Sequence, residues 1–112
     1  MNLVISLLIN SVAVFATGYL LPGISIQNFW TAILVAIVLG VLNTFLKPIL
    51  SILALPITII TLGLFQLVIN ALIVLLVSAI VPGFGVENFW WAIIFAIVLS
   101  IASSILHSVF KD

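Results

Sequence analysis

Charge and proton chemistry in this 112-residue sequence rest on five side chains: Lys47, Glu87, His107, Lys111 and Asp112. Hydrolytic or transfer chemistry needs a nucleophile beside a base or a pair of carboxylates, and a metal centre needs several convergent ligands. Neither set can be assembled from residues so few and so far apart. The sequence has no cysteine, which removes thiolate catalysis and sulfur-ligated metals. A single histidine beside a chain end ordinarily sits in water or caps helix carbonyls, and that is the role expected of His107. No cofactor is implied, and enzyme activity is not expected.

The remaining polar groups are uncharged. Asn10, Asn43, Gln66 and Asn70 lie within or beside long apolar runs, where an amide needs a hydrogen-bond partner. Asn10 and Asn70 are sixty positions apart in matching sequence contexts, so a bond between them across a pseudo-twofold axis or between protomers is expected. Such amides fasten helices, at about 0.6–2 kcal/mol each, more often than they contact a substrate or ion. Thr58, Thr61, Ser103 and Ser104 are expected to bond back to carbonyls of their own helices. Small residues recur at every fourth position, as Ala32, Ala36, Gly40 and Thr44 and again as Ala92, Ala96, Ser100 and Ser104. That spacing aligns them on one helix face, which reads as a close-packing seam, the other use of such a stripe being to line a pore.

The solvent for these groups follows from composition. With 67% hydrophobic and 4% charged residues, the chain cannot clothe a globular surface in polar side chains, so its partner is the lipid bilayer. No basic cluster exists to attract nucleic acid or to form a polybasic headgroup site. The N-terminal run MNLVISLLINSVAVFATGYLLPG lacks a basic n-region and an A-x-A cleavage site, and reads as a retained first span.

One unit is written twice. PGISIQNFWTAILVAIVLGVLNTFL, residues 22–46, aligns without gaps on PGFGVENFWWAIIFAIVLSIASSIL, residues 82–106, and the register extends back to pair LLIN at 7–10 with LVIN at 67–70. Shared Pro, Gly, Asn and Trp are not what apolar bias supplies. Each unit is an apolar run, a Pro-Gly turn and a second run, giving spans at 3–21, 29–46, 62–81 and 89–106 that approach the ~20 residues a helical crossing needs. The predicted fold is an all-α membrane protein of four transmembrane helices in two tandem hairpins, forming a single integral membrane domain (repeat 1, 1–46; linker, 47–60; repeat 2, 61–112). Asn28 and Asn88 are placed to cap the second helix of each unit. Trp30, Trp90 and Trp91, with Lys47 and Lys111, are expected as interfacial anchors.

The linker is apolar, short and broken by Pro48 and Pro56, and is expected to form a re-entrant or interfacial segment bent at those prolines. A linker that does not cross gives both hairpins one orientation. Lys47 and Lys111 then share a side with both termini, which the positive-inside rule makes cytoplasmic.

The run NTFLKPILSILALPITIITLGLFQLVINALIV at 43–74, with its N-x-x-L-K-P, L-P-x-T and T-L-G-L-F elements, and GFGVENFWWAIIFAIVLS at 83–100 closely resemble the superfamily IV phage holins, also called mycobacterial four-transmembrane-segment phage holins. The resemblance covers nearly the whole chain and implies a small four-span bundle in a bacterial inner membrane. It implies one of two roles: a self-associating structural or envelope-stress protein, as a homo-oligomer or with a membrane-protein partner, or a holin-type lesion former or narrow channel for a small solute or lipid. The sequence favours the first, because a wide pore needs a wettable helix face and these spans offer scattered amides and hydroxyls. The topology is open to labelling: cysteines introduced as Ser51→Cys and Thr58→Cys should react with an impermeant maleimide from the same membrane face as Lys111→Cys, and reaction from opposite faces would invert one hairpin.

Overall fold

A computed structural model describes residues 3–61 and 63–110. The elements run α1 (Leu3–Leu20), β1 (Ile24–Ile26), α2 (Phe29–Leu53), α3 (Leu55–Ile60), α4 (Phe65–Ile80), β2 (Phe84–Val86) and α5 (Phe89–Val109). Three helices, α1, α2 and α5, are long and apolar enough to cross a membrane, and α4 is a shorter apolar helix of 16 residues. Each of α1 and α4 ends two residues before its proline, and each of α2 and α5 begins directly after its asparagine. Asn28 and Asn88 hold nearly identical extended conformations, and their side chains accept from Thr31 N at 3.0 Å and Trp91 N at 3.1 Å. One otherwise orphaned amide of each helix start is thereby satisfied.

The turns do more than reverse the chain. Residues after each Pro-Gly form a strand, and the two strands pair antiparallel, with Ile24 opposite Val86, Ser25 opposite Gly85 and Ile26 opposite Phe84. Gln27 N donates to Gly83 O at 3.0 Å and Glu87 N to Gly23 O at 2.9 Å, lengthening the ribbon at both ends. An all-helical reading lacked this element. The signal was the β-branched, alternating Ile24-Ser25-Ile26, too short to separate from a polar turn by pattern. Because one ribbon contains both turns, both hairpins reverse at the same end of the molecule.

The four long helices form a ring in the order α1, α2, α4, α5, each touching its two neighbours. The ring is filled beneath the ribbon by Val35, Val77, Ala32, Ala92 and Phe95, all fully buried, with Phe84 tilted against Phe95 at 5.4 Å between ring centroids. In lipid this packing is held by dispersion and close approach, since expelling apolar surface from water provides little between helices. Outside, most of each span faces lipid: 33%, 28% and 11% of the span windows in α1, α2 and α5 are buried within the chain, which leaves α5 the least covered of the three.

The linker departs from expectation. Pro48 does not interrupt α2, which runs through it and through the expected 46/47 boundary to Leu53. Proline in a spanning helix forfeits one backbone bond and is tolerated where neighbours resupply the freed groups. The break falls at Ala54, and Pro56 occupies the first turn of α3, where a missing N–H costs nothing. Gly63, at φ +89°, turns the chain into α4, and its N–H donates to Thr58 O at 2.8 Å.

Two glycines test this packing in opposite directions. A Cβ on Gly23 would overlap the Trp91 indole, whereas one on Gly40 meets nothing within 4 Å. Gly23→Ala should therefore destabilise the protein in detergent by about 1–3 kcal/mol through overpacking. Gly40→Ala should be neutral or stabilising by up to about 1 kcal/mol through helix propensity. Equal losses in thermal melts of the two variants would contradict the packing at the ribbon.

Candidate functional site

Below the sealed layer the helices part. The ring opens into a cleft of about 310 Å³ whose inner walls are apolar and whose outer walls carry Asn10, Asn43, Asn70, Lys47, Ser103 and Ser104. The small-residue ladders divide at this level. Ala32 and Ala92 are packed out of sight, whereas Ala36, Gly40, Ala96, Ser100 and Ser104 line the cleft, where their small size leaves the room. Thr44 is exposed beyond it, its hydroxyl donating to Gly40 O at 2.7 Å. Gly40, with open space in front of its Cα, marks the point where seam becomes void.

One wall is fastened. Asn10 Oδ1 on α1 accepts from Ser103 Oγ at 3.1 Å and lies 3.0 Å from His107 Nε2, both on α5. His107 thus reaches across to a neighbouring helix rather than capping carbonyls, and Ser103 bonds to Asn10 rather than back to its own helix. Nor, within one chain, do Asn10 and Asn70 meet: among the described residues no hydrogen bond joins them, because facing helices of the ring stand on opposite sides of the cleft. The i, i+4 spacing of Ser103 and His107 was the available clue, hidden by the ordinary behaviour of a terminal histidine. Gln66 lies outside the cleft, its Nε2 donating to Ser51 Oγ at 3.3 Å and tying the start of α4 to the end of α2. Thr58 and Thr61 do bond back, to Ala54 O at 3.1 Å and Ile57 O at 2.9 Å.

The other wall is unfastened. Asn43, Lys47 and Asn70 line the cleft and make no side-chain hydrogen bond to described residues, yet no buried side-chain nitrogen or oxygen there lacks a partner. Their polar ends therefore reach the open mouth. Lys47, expected to open the linker, lies inside α2 and is half-buried. At the ribbon end Trp30 and Trp90 are exposed, while Trp91 is half-buried against Gly23. Pro48 and Pro56 lie outside the cleft, and Lys111 lies outside the described residues. No cluster of three or more potential metal-binding side chains occurs among the described residues.

Comparison with known proteins resolves the family. Residues 1–105 match the family described as mycobacterial 4 TMS phage holin, superfamily IV. The chain belongs to that family. Two relatives of the holin-like chain show its reach: the uncharacterized protein SCO3922 of Streptomyces coelicolor is 35% identical over 121 aligned positions, covering 99% of this chain and 97% of its own. The uncharacterized membrane protein YvlD of Bacillus subtilis is 34% identical over 98, covering 87% and 82%. No solved structure matches this holin-family chain.

The fastened wall makes a measurable contribution. Asn10→Ala leaves Ser103 and His107 without their shared acceptor and should cost about 0.6–1.7 kcal/mol, the range for interhelical hydrogen bonds in membranes. Denaturation in mixed micelles reads this directly, and a loss no greater than that of Leu8→Ala on the lipid-facing side of α1 would remove Asn10 from the fastening.

Proposed function

We propose that this holin-family protein is a non-catalytic, self-associating membrane scaffold of the bacterial inner membrane, built from a duplicated hairpin, and that one chain makes no pore. The observation that carries this reading is the layer of Ala32, Val35, Val77, Ala92 and Phe95, all at zero exposure. It gives the polar cleft a blind end. A conducting path needs a continuous wettable face, and here the wettable part stops about halfway along the bundle. The sixty-residue offset relating Asn28 to Asn88 and β1 to β2 supports duplication with both hairpins parallel, which sets the termini and Lys47 on one side, cytoplasmic by the positive-inside rule. Self-association is supported by the thin intramolecular cover of α5, whose outer face includes Ile94, Ile97, Ile101 and Ile105.

A lesion or channel is the competing reading, favoured by the cleft itself, because hydroxyls and amides at Ser100, Ser104 and Asn43 would become a wet lining if protomers splayed. Purified protein reconstituted into vesicles loaded with a small anionic dye decides between them. The scaffold retains dye at the rate of empty vesicles across protein densities. Prompt, density-dependent release above a threshold would replace it with the lesion, and membrane-impermeant dye entry on high expression in cells is the companion measurement.

A further inference from the structure

We infer that the cleft is a binding site for a phosphate-bearing anion, with the Lys47 ammonium as its counter-ion and the Asn43 and Asn70 amides as hydrogen-bond donors. The argument starts from an asymmetry between two corresponding walls. Positions 10, 103 and 107 stand sixty residues from 70, 43 and 47, and the pairs of helices that hold them, α1 with α5 and α4 with α2, are both neighbours in the ring. On the first wall Asn10, Ser103 and His107 satisfy one another. On the second, Asn70, Asn43 and Lys47 have no such closure, and their donors face a space of about 310 Å³. A polar set that could have bonded internally, as its counterpart does, is held open.

Among the described residues the charge in that space is of one sign: those lining the cleft include Lys47 and no carboxylate. Glu87 stands on the ribbon at the opposite end of the molecule. Lys47 is a single cation and no polybasic patch, so what it selects is one compact anion fitted into a shaped site. Its depth suits a phosphate. Eighteen residues of helix separate Lys47 from Phe29 at the ribbon end, a rise of about 27 Å, against a hydrocarbon core of about 30 Å. The ammonium therefore lies near the far headgroup level, where lysine serves as a point-charge ligand of phosphate. Behind it, Ala36, Leu39, Ile73 and Val74 supply an apolar floor of the kind an acyl or glycerol portion would occupy. The phosphate could belong to a lipid headgroup or be free in solution.

Native mass spectrometry of the detergent-purified full chain tests this with three probes: dioleoylphosphatidic acid, dioleoylphosphatidylcholine and inorganic phosphate. Wild type should hold phosphatidic acid about tenfold more tightly than phosphatidylcholine, the size of one charge-assisted contact. Lys47→Gln should erase that preference, and Lys47→Arg should keep most of it. Gly40→Leu, which fills the cleft where a Cβ meets nothing within 4 Å while leaving Lys47 in place, should also lose binding. It keeps the test decisive should Lys47→Gln fold poorly. Displacement of phosphatidic acid by millimolar phosphate assigns the site to the free anion, and its absence assigns it to the lipid, the shared chemistry standing in both cases. Equal retention of the two lipids by wild type overturns the site. Undiminished phosphatidic acid binding in Gly40→Leu does so too, because it would reduce Lys47 to an unspecific interfacial contact.

Discussion

The two hairpins are tied together at one end by a two-stranded ribbon, and the rest of the architecture follows from that one-sided fastening. Backbone bonds between residues 23–27 and 83–87 fix the spacing of all four long helices where they enter and leave the turns. At that end small residues and two phenylalanines fill the ring. At the other end the helices are joined by side-chain bonds, Asn10 to Ser103 and His107 on one flank and Gln66 to Ser51 at the edge. A bundle held tightly above and loosely below opens below, and the cleft is that opening.

Polar groups are few enough in this chain that each location has a physical reason. Threonines and serines inside spans return their hydroxyl protons to carbonyls three or four residues back, as at Ser11, Thr17 and Ser78, which costs no neighbour. The capping asparagines meet the amides at helix starts. What remains after this accounting is the set around the cleft, of which one half bonds within itself and the other makes no side-chain hydrogen bond to described residues. The family assignment agrees with a small multi-pass membrane protein and leaves the work of that set to be read from geometry.

Much of this was legible in the residues. The apolar runs, the Pro-Gly stops and the Asn caps follow from backbone chemistry that acts over a few positions, so α1, α5 and the starts of α2 and α5 could be placed by reading. Three features were not legible, for distinct reasons. The ribbon needs two segments sixty residues apart to meet. Pro48 breaks helices in water more readily than in a bundle where neighbours and lipid leave no better alternative, so α2 passes through it. The partnership of Asn10 with Ser103 and His107 depends on the ring order of the helices, which places α1 beside α5; a pseudo-twofold placing Asn10 against Asn70 would have required diagonal helices to touch.

The unequal lengths of neighbouring helices carry a mechanical meaning. At 25 and 16 residues, α2 and α4 rise about 37 and 24 Å, and no flat slab of uniform thickness fits both upright. Either α2 leans or its last turns emerge from the hydrocarbon, and the two cases set the ammonium of Lys47 at different heights against the lipid.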